Sequence, residues 1–278
     1  MLTRVEVRPG ERAREAVSGA MFAAGAEALQ DDGAALVTLV KGAAAAGALA
    51  AAARAVDRSA SVTLTEVPEV DWTSAWRAAL RAHTVGFLTV TPPWLAAPFL
   101  PARRIVIEPA MAFGTGDHAT TRGVLDLMQG VVRPGDTVAD LGTGSAVLAI
   151  AAARLGASRV AAIEADPDAI GNAESNVAAN EVADAVTVIE GDAAVLLPLV
   201  APVRVVLANI VSGVIEDLLP VIRRSLADGG EAVCSGILSA ERSGMERAFA
   251  DNGFRVAGAR EEDGWLTFHV RALAMAAQ

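Results

Sequence analysis

The 278-residue chain has one cysteine, three histidines and too few basic residues to balance its acids. Cys234 has no partner for an internal disulfide, and His83, His118 and His269 stand too far apart in sequence for a metal-ligand spacing. A reducing compartment and no bound metal are therefore expected. With 23 Lys and Arg against 33 Asp and Glu, the formal charge is −10. A broad phosphate-binding face needs the opposite sign, so no direct nucleic-acid contact is expected and a basic protein partner suits the chain better. Residues 1–10 alternate polar and apolar side chains and lack the continuous apolar stretch of a secretion signal. The Ala-rich run Gly42 to Ala53 is too short to span a bilayer and is bounded by Lys41 and Arg54. No membrane partner and a cytoplasmic location follow as expectations. There is no internal repeat.

What is present is organised around Val138-Ala-Asp-Leu-Gly-Thr-Gly-Ser145. Val138 and Ala139 read as the end of a buried strand, and the helix formers from Ala146 to Leu155 place the glycines at a strand-to-helix turn. Such a turn binds ligands, because glycine adopts positive φ, carries no Cβ, and stands before unpaired helix N–H groups. A dinucleotide turn requires a third glycine three places after Gly144, where this chain has Val147. An NAD site is therefore not expected.

Hydrophobic residues make up 53% of the chain, ample for one large or two ordinary domains. Residues 1–67 alternate short strands and helices: 2–7 extended, 11–29 helical, 35–40 extended, 43–56 helical, 61–67 extended. This small α/β unit carries no glycine-rich turn and no nucleophile with a base, so it either binds a substrate or partner or serves as a cap. Residues 68–100 read as a helix, with Asp71 as N-cap and Trp72 and Trp76 packed on one face, followed by a proline-rich linker. The third domain spans 101–278.

That domain opens with an apolar strand from Ile105 into Phe113, then Gly114-Thr-Gly-Asp-His-Ala-Thr-Thr121 and a helix through Met128. Asp117, Thr120 and Thr121 either cap the helix or reach a polar ligand; His118 is either a base or a hydrogen-bonding residue. A second strand, Arg159 to Glu164, ends in an acid 20 residues beyond Gly144, where a carboxylate accepts the hydroxyls of an adenosyl ribose. Asp166 and Pro167 begin a helix as cap and first residue. A third strand from Val186 leads to Asp192, which either meets an adenine amino group or is a loop acid. A fourth, Val203 to Ile210, delivers Asn209 to the carboxyl end of the sheet, where ligands bind in such folds. Helix, strand, helix and two closing strands follow.

Taken together, Ala112-Phe-Gly-Thr-Gly-Asp-His-Ala-Thr-Thr121, Asp140-Leu-Gly-Thr-Gly-Ser145, Ala208-Asn-Ile210 and Ser235-Gly-Ile-Leu238 resemble the family of methyltransferases of large-subunit ribosomal protein eleven. The specific signal is Phe-Gly-Thr-Gly-x-His-x-Thr-Thr, which general methyltransferases lack. The resemblance extends from about residue 68 to the end, whereas residues 1–67 match only in length and element order. It implies an α/β fold: a seven-stranded, doubly wound, Rossmann-like class I methyltransferase domain preceded by a small α/β substrate-binding domain. It also implies S-adenosylmethionine as cofactor, a large-subunit ribosomal protein as substrate, and transfer to lysine side chains and the N-terminal amine. On this resemblance the candidate cofactor contacts are Phe113, Gly114, Thr115, Thr121, Asp140, Gly142, Gly144, Glu164, Asp192 and Asn209, with Asn209 also the candidate catalytic residue. Three positions depart from the family pattern: Ala146 for the third glycine of the turn, Glu164 for Asp, and Arg204 for an acid. The alternatives are a related enzyme acting on another protein's lysines or on a small amine, and a cofactor-sensing scaffold without activity.

Overall fold

A computed structural model describes residues 2–31, 33–67, 80–109 and 116–274. The chain divides into two compact units, Met1–Ala79 and Leu80–Gln278.

The first unit contains β1 (Leu2–Arg8), α1 (Arg14–Ala23), β2 (Gln30–Asp31), β3 (Leu36–Lys41), α2 (Ala43–Val56) and β4 (Ser61–Val67). Its strands pair antiparallel in the order β2-β3-β1-β4. Alternation along β1 sends Val5 and Val7 into a core with Val17, Met21, Leu36 and Leu49, leaving Arg4 and Glu6 on the opposite face. The helix expected over 11–29 ends at Ala23. The N–H groups of Gly25 and Ala26 turn back onto the carbonyls of Phe22 and Met21, which closes the last turn. The helix expected around Trp72 and Trp76 falls outside the described residues.

The second unit begins with β5 (His83–Val85), β6 (Leu88–Thr91) and β7 (Arg104–Val106), a small sheet in that order. The stretch expected as a linker thus includes β5, β6 and a 3-10 turn at Pro93–Leu95. Val85, Leu88 and Val90 are buried in the large unit's core, because the prolines flank the strand and leave its N–H groups free to pair.

Then come α3 (Ala119–Met128), β8 (Thr137–Leu141), α4 (Val147–Arg154), β9 (Arg159–Glu164), α5 (Pro167–Ala179), β10 (Val186–Glu190), α6 (Ala193–Val200) and β11 (Val203–Asn209). The unit finishes with α7 (Ser212–Ser225), β12 (Leu226–Leu238), α8 (Arg242–Asp251), β13 (Phe254–Glu262) and β14 (Trp265–Ala272). These seven strands form one sheet, ordered β10-β9-β8-β11-β12-β14-β13. The first five are parallel, and β14 runs antiparallel to both its neighbours. Val138, Val160, Val205 and Leu207 pack in one apolar layer with residues of α3, α4 and α5. Ala139, Leu141, Val206 and Ala208 pack in the other with α6, α7 and α8. Burial on both faces explains why these strands read as unbroken apolar runs. The order of connection reverses between β8 and β11, so the carboxyl ends of β8, β9, β10 and β11 open onto one crevice. Among the described residues no helix is long and apolar enough to cross a membrane.

Candidate functional site

Gly142 and Gly144 occupy the turn from β8 into α4 with φ of 67° and 55°. The N–H groups of Gly142 and Thr143 both donate to the Ile163 carbonyl, at 2.9 and 3.0 Å, which pins the turn to β9. A Cβ on Gly142 would lie 2.4 Å from Ile210 Cγ2, and one on Gly236 would lie 2.1 Å from the Ile210 carbonyl oxygen. Glycine at both places lets the chain just after Asn209 pass tightly between the ends of β8 and β12. Ala146, where the family pattern has glycine, keeps the left-handed conformation at φ 64° and is fully buried. The backbone shape survives the substitution at a strain of about 1 kcal/mol.

Two acids flank the turn in different states. Glu164, at the end of β9, accepts from Gly144 N at 2.8 Å through Oε2 and from Ala165 N and Asp166 N at 2.9 and 3.0 Å through Oε1. Three backbone N–H groups thus occupy most of a carboxylate's roughly four acceptor places. Asp140 is fully buried; its Oδ2 accepts from Thr143 Oγ1 at 2.5 Å and from Ala149 N at 3.1 Å, while Oδ1 has no partner. Burial pushes its carboxyl up to about 7, against the pull of the Thr143 and Ala149 bonds.

Across the crevice, Asn209 Nδ2 donates to Thr121 Oγ1 at 3.3 Å, joining β11 to the first turn of α3. The cap of that helix is His118, whose Nδ1 accepts from Thr120 N; Asp117 instead faces His83 at 3.3 Å. The His118 ring also meets Trp265 edge-on, 5.2 Å between centroids. Asp192 caps α6 by accepting from Ala194 N at 2.7 Å, and Asp166 caps α5 in the same way. Phe113, Gly114 and Thr115 lie outside the described residues.

Gly142, Glu164, Asp192 and Ile210, with Gly191, Val214 and Leu218, line a cleft of about 300 Å³. The structure therefore brings the glycine turn, the acid of β9 and the acid after β10 to one cavity, and pairs Thr121 with Asn209 at the neighbouring strand end. An adenosyl group fits this lining: carboxylates of Glu164 and Asp192 at the cleft wall and an apolar floor of Ile163, Ile210, Val214 and Leu218. Among the described residues no cluster of three or more His, Cys, Asp or Glu is placed to hold a metal. Cys234 is fully buried, and burial raises its thiol to about 12.

Arg204, the third departure, is explained locally. Its Nη2 donates to Glu231 Oε1 at 2.6 Å, and Glu231 Oε2 also accepts from Arg271 and meets His269. Sequence reasoning missed Asn172, Asn176 and Asn180. Their spacing of four on an otherwise apolar helix face was the available signal, and their partners are the backbone of 106–108 and the glycine turn.

The reversed strand order, the antiparallel β14 and the glycine turn at the switch point define a Rossmann-like class I methyltransferase fold. A solved ribosomal protein L11 methylase from Lactobacillus delbrueckii subsp. bulgaricus shares it, with a TM-score of 0.61 and 28% identity over 70% of this chain and 100% of that one. Residues 11–272 match the profile of the ribosomal protein L11 methyltransferase (PrmA) family, and the chain belongs to that family. Proteins named ribosomal protein L11 methyltransferase from Lacticaseibacillus paracasei and Desulfitobacterium hafniense are 37% and 39% identical over 213 and 207 residues. Those matches cover 75% and 74% of this chain and 66% and 65% of the relatives, so the chain spans just under two thirds of their length.

Proposed function

We propose that the protein transfers methyl groups from S-adenosylmethionine to lysine side chains and the N-terminal amine of ribosomal protein L11. The family match over residues 11–272, joined to a cleft that gathers Gly142, Glu164 and Asp192, carries this reading. The acidic charge of −10 suits a basic protein substrate. The unit Met1–Ala79 is the substrate-recognition domain, and the unit Leu80–Gln278, which includes β5 and β6, is the methyltransferase domain. The site of action is the cytoplasm, where the substrate is made.

S-adenosylmethionine supplies a methyl group already activated by its sulfonium charge, so the protein's work is alignment and exclusion of water. Gly142 lines the cleft, and the positive φ of Gly142 and Gly144 shapes the turn that forms its wall. Glu164 would take the ribose hydroxyls; accepting both would require it to release one of its backbone bonds. Asp192 holds the adenine side of the cleft. Asn209, fixed through Nδ2 by Thr121, offers Oδ1 to the incoming amine. A free lysine, with a pKa of about 10.4, arrives protonated; desolvation in the cleft favours the neutral amine, its proton leaving to solvent, and the Asn209 carbonyl orients the nucleophile.

Calorimetric titration with S-adenosylmethionine and with NAD, followed by labelled methyl transfer to the purified ribosomal protein, tests the proposal. Saturable S-adenosylmethionine binding and a labelled substrate band are expected. Saturable NAD binding with no response to S-adenosylmethionine would refute it. The folded Glu164→Ala variant loses about 1–3 kcal/mol of cofactor binding, the cost of removing a charged acceptor from buried hydroxyls.

A further inference from the structure

Three asparagines, Asn172, Asn176 and Asn180, follow one another at intervals of four along α5 and its C-cap, beside the buried Ala169, Ala173 and Val177. That spacing stacks their side chains on one face. Asn176 and Asn180 are 1% and 2% exposed. A buried primary amide is costly unless its donors and acceptor are all used, so the partners matter more than the helix.

Asn180 takes Val106 N on Oδ1 at 2.8 Å and gives Nδ2 to the Val106 carbonyl at 2.6 Å. Asn176 Oδ1 takes Glu108 N at 2.9 Å, and Asn172 Nδ2 reaches the Glu108 carbonyl at 3.3 Å. Where β7 ends at Val106, the amides thus continue the ladder that another strand would have supplied. Asn176 does one thing more: its Nδ2 donates at 3.0 Å to the carbonyl of Ser145, which sits between Gly144 and the strained Ala146. Asn180 Nδ2 also donates to the Asn176 backbone carbonyl at 2.8 Å, and none of the three Asn180 side-chain bonds reaches the turn.

We infer that Asn176 is a positioning residue for the glycine turn, clamping Ser145 to the end of the β7 segment at Glu108 so that the cleft wall keeps its shape. The inference rests on the reading of that turn as the S-adenosylmethionine site. Bond by bond, the claim separates two neighbours on one helix. Asn176→Asp keeps the size and the acceptor toward Glu108 but opposes a carboxylate to the Ser145 carbonyl. Asn180→Ala removes the ladder at Val106 and leaves the turn alone.

The test uses the full chain in three variants, N176D, N176A and N180A, with thermal unfolding, calorimetric S-adenosylmethionine affinity and hydrogen exchange at 142–146. N176D weakens cofactor binding about tenfold, the order expected when a buried carbonyl loses its partner. N176A, which adds no repulsion but removes the bonds to both Ser145 and Glu108, weakens it about fivefold. N180A lowers the melting temperature but binds within about twofold of the parent. Turn amides exchange faster in both Asn176 variants and not in N180A. Parent-like affinity in folded N176D and N176A, or equal weakening in N180A, overturns the inference. Should the parent not bind S-adenosylmethionine, the proposed function fails, and exchange at 142–146 alone then decides whether Asn176 positions the turn.

Discussion

In Met1–Ala79 the buried polar side chains among the described residues are two threonines, Thr3 and Thr38, and the ion pairs Arg4–Glu6, Arg8–Glu6 and Arg14–Asp31 each keep an exposed member. In Leu80–Gln278 the buried set includes Asp140, Asn176, Asn180 and Glu231, and Asp140 Oδ1 has no partner at all. Burying an amide or a charge costs several kcal/mol unless geometry returns it. The small unit bears little such cost and presents a sheet face with exposed Leu39 beside Arg4. In the large unit Asp140 and Asn176 sit at the turn, while Asn180 meets Val106 and Glu231 pairs with Arg204 at the start of β11. The two units thus differ in where polar groups are hidden, although both are built from strands and helices.

The sharpest way to break this comparison is to separate the units. A chain shortened to Leu80–Gln278 retains all three strands of the small β5-β6-β7 sheet and is expected to keep S-adenosylmethionine affinity. Its methylation of the folded ribosomal protein falls by about 100-fold or more as substrate alignment is lost. Labelled transfer at equal rates from both chains would remove recognition from the first unit.

Next in size is Glu231→Ala, which leaves the half-buried Arg204 without its partner and costs about 3 kcal/mol in chemical denaturation. Burial alone would raise the Glu231 carboxyl, but the bonds from Arg204, His269 and Arg271 outweigh it and hold the value near 2, below the ordinary 4.5. The stabilisation is therefore present above pH 4.5 and is lost as pH falls toward 2. The parent should destabilise over that window more steeply than the variant.

Asp140 works in the opposite sense. Its folded value is raised to about 7 from 3.8, chiefly by burial. Its contribution to stability is complete below 3.8 and is lost as pH rises through 7. Asp140→Asn, which cannot ionise, gains about 4 kcal/mol on the parent between pH 4 and pH 8. Parallel pH profiles for the two proteins would mean that Asp140 ionises without penalty.

The smallest effect belongs to Ala146→Gly. Relief of the left-handed strain returns about 1 kcal/mol, and loss of a buried methyl and of chain stiffness takes back a similar amount. A melting temperature within a few degrees of the parent is expected. A large loss would show that the Ala146 methyl is a packing requirement of the turn.

Much of this was legible in the chain. Val138–Ser145 reads as strand, turn and helix because the apolar run, the glycines and the helix formers are contiguous. Arg159–Glu164 ends on its acid in the structure as in the sequence, and Asp166 with Pro167 starts α5 as a local cap must. The helix over 11–29 was read too long because a composition that favours helix said nothing about the bonds of Gly25 and Ala26 that close it. The cap of α3, expected among Asp117, Thr120 and Thr121, is instead His118, whose hydrogen-bonding role at the helix start the sequence did offer; several nearby polar side chains can cap and only packing chooses one.

By itself the sequence determined most of the elements of the large unit, the glycine turn, the acids at strand ends and the family motifs, each set by residues within a few positions of one another. Only the tertiary structure decided which groups share an environment. Asp140 and Glu164, both acids at the ends of adjacent strands, part company because one is sealed in the core and the other is solvated by backbone N–H groups. Asn176 acquires its role from partners 68 and 31 residues away. Glu231 becomes a stable buried ion because β11 and β14 flank β12 and bring Arg204, His269 and Arg271 to it. Desolvation and hydrogen bonding depend on distance in space, and the chain alone carries only distance along itself.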